Sequence, residues 1–182
     1  MILLARHGET ADNVPPARVM GRRDPPLGDR GREQARRLAD AVGGEGIRAL
    51  YTSDLRRATE TAAIVGERLG LEPRVDPRFA ESDRGRWEGR LVRDIEREEP
   101  EAWSAWLHAG DGFRFPGGES LRDHLDRVAA AIDDVNAGAL PALVVCHGGT
   151  IRCAFAAREP GGLDSFHELD VPNAVPFRLA DR

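Results

Sequence analysis

Residues 1–13 read MILLARHGETADN, and the fold is decided there. The apolar run Ile2-Leu3-Leu4-Ala5 breaks at once into Arg6-His7-Gly8. A short apolar run closed by a glycine turn reads as a buried strand. In open α/β sheets, ligands sit at the carboxyl ends of the strands, so a cation and an imidazole at such an end point to chemistry. A second apolar run, Ala142-Leu143-Val144-Val145-Cys146, is broken in the same way by His147-Gly148-Gly149. One histidine at a strand tip would be read as a plain strand end. Two such junctions, one with an adjacent arginine, instead favour a shared site.

Between these two strands the chain alternates strands and helices. Pro15, Pro16, Pro25 and Pro26 make residues 14–26 a loop, which also carries Arg18, Arg22 and Arg23. A helix is expected from Asp29 to Val42, with Ala35, Leu38, Ala39 and Val42 on one face and Gly43-Gly44 as its stop. Ile47–Thr52 reads as a strand. Ser53 is expected to cap the next helix, whose stripe is Ala58, Thr61, Ala62, Val65 and Leu69. A short strand is expected near 74–76, and one or two helices over 91–108 with a break at Pro100. Trp103, Trp106 and Leu107 form a patch there, read either as packing on the body or as a cap over a pocket. Ser120 and Asp123 open a further helix with a capping pattern, and another is expected from Thr150 to Ala157. The apolar runs 166–171 and 175–179 read as a pair of edge strands. Alternating strands and helices imply a mostly parallel sheet covered on both faces. This is an α/β fold, a three-layer α/β/α sandwich, expected as one domain over residues 1–182.

Bulk composition narrows the function classes. With 41% hydrophobic residues, the 182-residue chain has material for a core. A formal net charge of -5 argues against a general nucleic-acid binder. No apolar stretch has the length of a membrane span and no signal peptide is evident, so a cytoplasmic location without membrane association is expected. Cys146 and Cys153 are expected as reduced thiols, Cys146 as a small apolar filler. No Cys or His spacing resembles a zinc site, and no metal or other cofactor is expected.

A histidine nucleophile needs a neutral ring nitrogen aimed at an electrophile. Phosphorus is the natural target where arginines gather, because guanidinium groups bind phosphate oxygens bidentately and stay charged. Arg6 beside His7 and Arg57 at the start of a helix are the candidates for such a clamp. The helix start near His147 to Thr150 adds positive potential. Arg57 has a plainer reading, as a surface partner of Asp54 or Glu60.

Four stretches, taken in order, resemble the histidine phosphatase superfamily, also called phosphoglycerate mutase-like. They are Leu4-Ala5-Arg6-His7-Gly8-Glu9-Thr10 with Asn13; Ser53-Asp54-Leu55-Arg56-Arg57-Ala58 with Thr61-Ala62; Glu81 ahead of Gly85-Arg86-Trp87-Glu88-Gly89; and His147-Gly148-Gly149. The resemblance implies the same three-layer architecture. It implies His7 as the phosphorylated nucleophile and His147 as the second histidine, stabilising the phosphoryl oxygens. Arg6, Arg57, Asn13 and Gly148 are implied as substrate ligands, and Glu81 as the proton donor, with Glu88 as a rival acid. His108, His124 and His167 have no motif support and are read as surface or packing residues. The sequence departs from the family pattern at Arg84, where an aromatic or apolar residue is usual, and at Gly28, where Thr or Ser is usual.

The chain is short between Glu81 and His147, which leaves a phosphohistidine open to water and favours a phosphatase. Its length and the Gly21–Leu27 segment are similar to broad-specificity and α-ribazole phosphatases. The alternatives are a phosphoglycerate mutase and, from another class, a non-catalytic binder of a phosphorylated ligand. The partner expected is a small phosphorylated molecule, with a second copy of the chain as one option.

Overall fold

A computed structural model describes residues 1–180. Its strands are β1 (Ile2–Arg6), β2 (Ala49–Thr52), β3 (Arg74–Val75), β4 (Ala142–Cys146) and β5 (Pro176–Leu179). They form one sheet in the order β3-β2-β4-β1-β5, all parallel except β5, which runs antiparallel to β1. The helices are α1 (Asp29–Val42), α2 (Arg56–Leu69), α3 (Val92–Glu98), α4 (Pro100–Leu107), α5 (Leu121–Asn136) and α6 (Gly148–Ala156).

The strand alternation builds the three layers. Successive side chains of a strand point to opposite faces. Leu3 and Ala5 of β1, with Leu143 and Val145 of β4, pack against Leu38, Ala39 and Val42 of α1 and Ala58, Ala62 and Val65 of α2. Ile2 and Leu4, with Ala142, Val144 and Cys146, turn the other way onto Leu125, Val128 and Ile132 of α5 and Ile151 and Cys153 of α6. Every residue of β4 is buried, as expected for a parallel strand covered on both faces. Burial pushes the Cys146 and Cys153 thiols up, so both behave as small apolar fillers.

Pro100 occupies the first turn of α4, where its missing N–H costs no hydrogen bond. The segment around it is both body and cap. Trp106 is buried among rings, 4.9 Å from Phe115 and 5.7 Å from Phe166, yet it and Trp103 line the pocket described below. Leu107 is half exposed and takes no part.

Two expectations fail. Ser53 does not cap α2: the residue before the helix is Leu55, which has no side-chain cap. Residues 166–171 do not form an edge strand. The Leu169 carbonyl accepts from Arg152 Nε at 2.9 Å and the Val171 carbonyl from Arg6 Nη1 at 2.9 Å. Backbone acceptors that a sheet neighbour would have used are thus taken by arginines, and Phe166 turns into the Trp106 cluster.

Candidate active site

Adjacent parallel strands place the two histidines. β1 and β4 pair in register, with Arg6 opposite Cys146, and the His7 N–H donates to the Cys146 carbonyl at 2.9 Å. His7 and His147 therefore leave the sheet side by side. Their ring centroids lie 5.2 Å apart, and both residues are buried.

The hydrogen bonds of His7 fix its tautomer. Nδ1 lies 2.7 Å from the Gly8 carbonyl, which can only accept, so Nδ1 carries the proton. Nε2 then holds a lone pair, met by the Nε–H of Arg57 at 3.1 Å. Burial, then Arg57 and Arg6, hold the His7 pKa well below the ordinary imidazole value. The ring is therefore held in its neutral form.

Arg57 is fully buried rather than a surface partner of Asp54 or Glu60. Its two terminal nitrogens donate to the carbonyls of Gly21 and Arg23 in the proline-rich loop. Burial brings the guanidinium down to about 10, so it stays protonated at neutral pH. Arg6 lines the same pocket as His7, with a buried Nε that has no partner among the described residues.

His147 is oriented by Ser53, whose Oγ lies 2.7 Å from Nε2 and accepts from the Leu55 N–H at 3.3 Å. Its Nδ1 is buried without a partner among the described residues. Burial, then Arg57 and His7, lower its pKa strongly, so this ring is neutral too.

Glu81 is buried on the wall of the same pocket. Its carboxylate accepts from the Ser82 N–H at 2.9 Å and the Gly149 N–H at 3.0 Å. Burial raises its pKa; Arg84, His124, His147 and the Ser82 N–H outweigh that and hold it well below the carboxylate range. A Cβ at 149 would lie 2.3 Å from Glu81 Oε1, so any larger residue there would displace the carboxylate. Arg127 fastens the segment behind, donating to the carbonyls of Arg78, Ala80 and Glu81.

The pocket itself has a volume of about 260 Å³. Arg6, His7, Asn13, Glu81 and Gly148 line it, together with Arg18, Arg84, Arg152 and Trp87, Trp103 and Trp106. Among the described residues no group of three or more His, Cys, Asp or Glu could hold a metal ion. No described helix is long and apolar enough to cross a membrane.

The family model of the histidine phosphatase superfamily, branch 1, matches residues 2–179. The chain belongs to that superfamily. This histidine phosphatase is 32% identical over 175 residues to phosphoserine phosphatase 1 of Hydrogenobacter thermophilus, covering 95% of this chain and 82% of the relative. It is 36% identical over 155 residues to a probable phosphoglycerate mutase of Yersinia enterocolitica, covering 84% of this chain and 71% of the relative. A mycobacterial glucosyl-3-phosphoglycerate phosphatase, solved with VO3, superposes with a TM-score of 0.89 at 33% identity, over 96% of this chain and 90% of the other.

The other residues singled out in the sequence of this histidine phosphatase fall into two groups. Asn13 reaches the pocket, its Nδ2 donating to Asn173 Oδ1 at 2.9 Å and its Oδ1 accepting from the Thr10 N–H. Glu88 does not reach it: its Oε1 accepts from the backbone N–H groups of Arg22 and Arg84, which makes it a strut. Arg23 pairs with Asp12 at 3.3 Å, outside the lining. His108 is exposed and hydrogen-bonds the Ser104 carbonyl. His167 packs edge-on against Trp106.

Sequence reasoning missed the roles of Ser53 and Arg152, and read His124 only as a surface or packing residue. Ser53 lay inside a quoted motif, but its capping pattern offered a sufficient explanation. His124 is fully buried and lies 3.2 Å from Thr150 Oγ1. It occupies the apolar face of α5, between Leu121 and Val128, a position that advertises a core residue.

Proposed function

We propose that this chain is a phosphomonoesterase that works through a phosphohistidine on His7. The observation that carries the reading is the tautomer of His7. The Nδ1–H donates to a backbone carbonyl, so the lone pair sits on Nε2 inside a pocket ringed by arginines.

The steps follow from the geometry. The phosphoryl oxygens are held by Arg6, Arg57 and the unpartnered Nδ1 of His147 in its protonated tautomer, with Asn13 and the backbone at Gly148 beside them. Arg57 gives up its hydrogen bond to His7 Nε2 in doing so, because that lone pair cannot both accept and attack. Nε2 then forms a bond to phosphorus as the bond to the ester oxygen breaks. Glu81 in its acid form donates its proton to the departing oxygen. Water next attacks phosphorus, the Glu81 carboxylate takes its proton, the P–N bond breaks, and phosphate leaves a neutral His7. Catalysis of this kind rests on positioning and on stabilised charge, and needs no metal ion where guanidinium groups supply the charge.

Glu81 starts from the wrong protonation state for the first step. Two negative charges arriving with a phosphate dianion raise the pKa of a neighbouring carboxylate, so substrate itself prepares the acid.

Turnover of p-nitrophenyl phosphate in EDTA by the wild type, with its loss in a folded His7→Ala variant and an acid-labile phosphoryl group trapped on His7, is the expected result. Full activity in His7→Ala would overturn the reading.

A second reading is phosphoglycerate mutase, favoured by the similarity to a relative of that name. Phosphorus NMR of 3-phosphoglycerate separates the two: release of inorganic phosphate supports the phosphatase, and interconversion with the 2-phosphate supports the mutase.

A further inference from the structure

Charge is unbalanced in the pocket in a way that phosphate alone does not correct. Among the described residues lining it, Arg6, Arg18, Arg84 and Arg152 are cations, and Glu81 is the one carboxylate. Arg57, in contact with His7, adds another cation. A phosphate monoester dianion matches Arg6 and Arg57. Arg84 and Arg152 then share Glu81 between them. When Glu81 takes up the proton it must deliver, Arg84 retains no carboxylate in the pocket, whereas Arg152 still feels Asp170 outside the lining. Desolvated cations are stable only when paired or hydrogen-bonded.

Arg84 is the more telling of the two. Its side chain is 17% exposed, and its terminal nitrogen stops 3.8 Å from Glu81 Oε2, too far for a hydrogen bond. Its Nε is buried with no partner among the described residues. It is held by rings, with the guanidinium carbon 5.2 Å from the Trp106 centroid and 5.1 Å from that of Phe115. Stacking on aromatic faces orients a guanidinium while leaving its in-plane donors free. Arg152 differs, since its Nε already donates to the Leu169 carbonyl.

Resting on the phosphomonoesterase reading, we propose that the alcohol half of the substrate carries a second anionic group, bound by Arg84, with its apolar body against Trp103 and Trp106. A carboxylate and a second phosphoryl-type group share the planar two-oxygen edge that a guanidinium fork recognises. Arg84 is thus a specificity-determining residue for the leaving group. It makes the same contact in the ground and transition states, so the preference appears mainly in KM.

The test compares phenyl phosphates bearing a 4-carboxylate, a 4-phosphonate or the neutral 4-carboxylic methyl ester. The ester has the better leaving group and nearly the same shape, so reactivity alone favours it. The wild type is expected to prefer an anionic compound over the ester by roughly tenfold to a hundredfold in kcat/KM, the range of a charge-assisted hydrogen bond. The carboxylate and phosphonate arms identify which anion is read. In Arg84→Met, which keeps the apolar stem, this ratio is expected to fall to about one, and Arg84→Lys is expected to retain part of it. The readout is a ratio within one variant, so a general loss of activity does not enter it. Equal kcat/KM for anionic and neutral esters in the wild type would overturn the proposal and leave the phosphomonoesterase standing. A ratio that survives Arg84→Met would overturn the assignment to Arg84. No hydrolysis of any of the three would overturn the phosphomonoesterase reading and this one with it.

Discussion

The Nε–H of Arg57 donates to Nε2 of His7 across 3.1 Å while the terminal nitrogens of the same guanidinium hold the carbonyls of Gly21 and Arg23. One side chain thereby links the nucleophile to the loop that walls the pocket. Arg57→Lys keeps the charge but replaces a planar fork with a point donor. A fall of roughly a hundredfold to a thousandfold in kcat/KM is expected, the cost of losing one preorganised charge-stabilising donor. The melting temperature should also fall, because two loop carbonyls lose their donor. Steady-state kinetics and a thermal melt on the same sample check both. A Lys variant with wild-type kinetics would show that Arg57 does not meet the phosphoryl group.

Leaving-group chemistry tests Glu81. An alkoxide needs a proton as it departs, and a nitrophenolate does not. Glu81→Gln is expected to slow phosphorylation of His7 by an alkyl phosphate roughly a hundredfold to ten-thousandfold, with a far smaller loss for p-nitrophenyl phosphate. Pre-steady-state bursts separate this step from the later attack of water. Equal losses on both substrates would remove the acid role. Because the carboxylate starts well below its ordinary pKa, binding of vanadate or phosphate at pH 7 should be accompanied by proton uptake in the wild type. Calorimetry in buffers of different ionisation enthalpy reads it, and Glu81→Gln should abolish it.

Ser53 is the partner that orients His147, at 2.7 Å. Ser53→Ala leaves Nε2 of a buried imidazole without it. A loss of about tenfold or more in kcat is expected from an unsatisfied buried group and a looser ring. Nitrogen NMR of the imidazole should report a changed tautomer balance at His147 while His7 keeps its own. A Ser53→Ala enzyme with unchanged kcat would show that the ring is held by packing alone.

Acid should destabilise the fold through His124. Burial, then Arg127, bring this ring down to about 4 against the opposing pull of Glu81 and Glu119. The unfolded chain protonates it near its ordinary value, about 6.5. Between those pH values the unfolded state binds the extra proton, so stability rises with pH there. The contribution is complete above about 6.5 and is lost as the pH falls towards 4, up to roughly 3 kcal/mol for this one group. Denaturant melts from pH 4 to 7 should show a steep acid-side slope, shallower in His124→Gln by about one proton. An unchanged slope would place the acid sensitivity in the other buried groups.

How far the sequence alone reached depended on whether a residue had competing local explanations. The runs 2–5 and 142–146 had none, since their length and glycine boundaries admit only buried strands, and the sheet follows. The stripe of α1 was equally legible, because a 3.6-residue period over fourteen positions has no rival. Ser53 failed because a serine ahead of a helix already has a use. Residues 166–171 failed because alternation marks burial, and the arginines that take the Leu169 and Val171 carbonyls come from other elements, α6 and β1. Arg152 and His124 sit on helix faces where nothing local distinguishes a pocket wall or a buried network from ordinary packing.

Strand pairing has a consequence for how such an enzyme can diversify. Neighbouring strands stand about 4.8 Å apart, and the two imidazoles that leave β1 and β4 lie 5.2 Å apart. The backbone ladder is therefore the ruler that sets the gap between the two rings. The walls that meet the rest of the substrate come from other parts: the proline-rich loop, the α3–α4 segment and the stretch around Arg84. Those walls can vary without moving β1 or β4, provided the proline-rich loop keeps the carbonyls of Gly21 and Arg23 that hold Arg57.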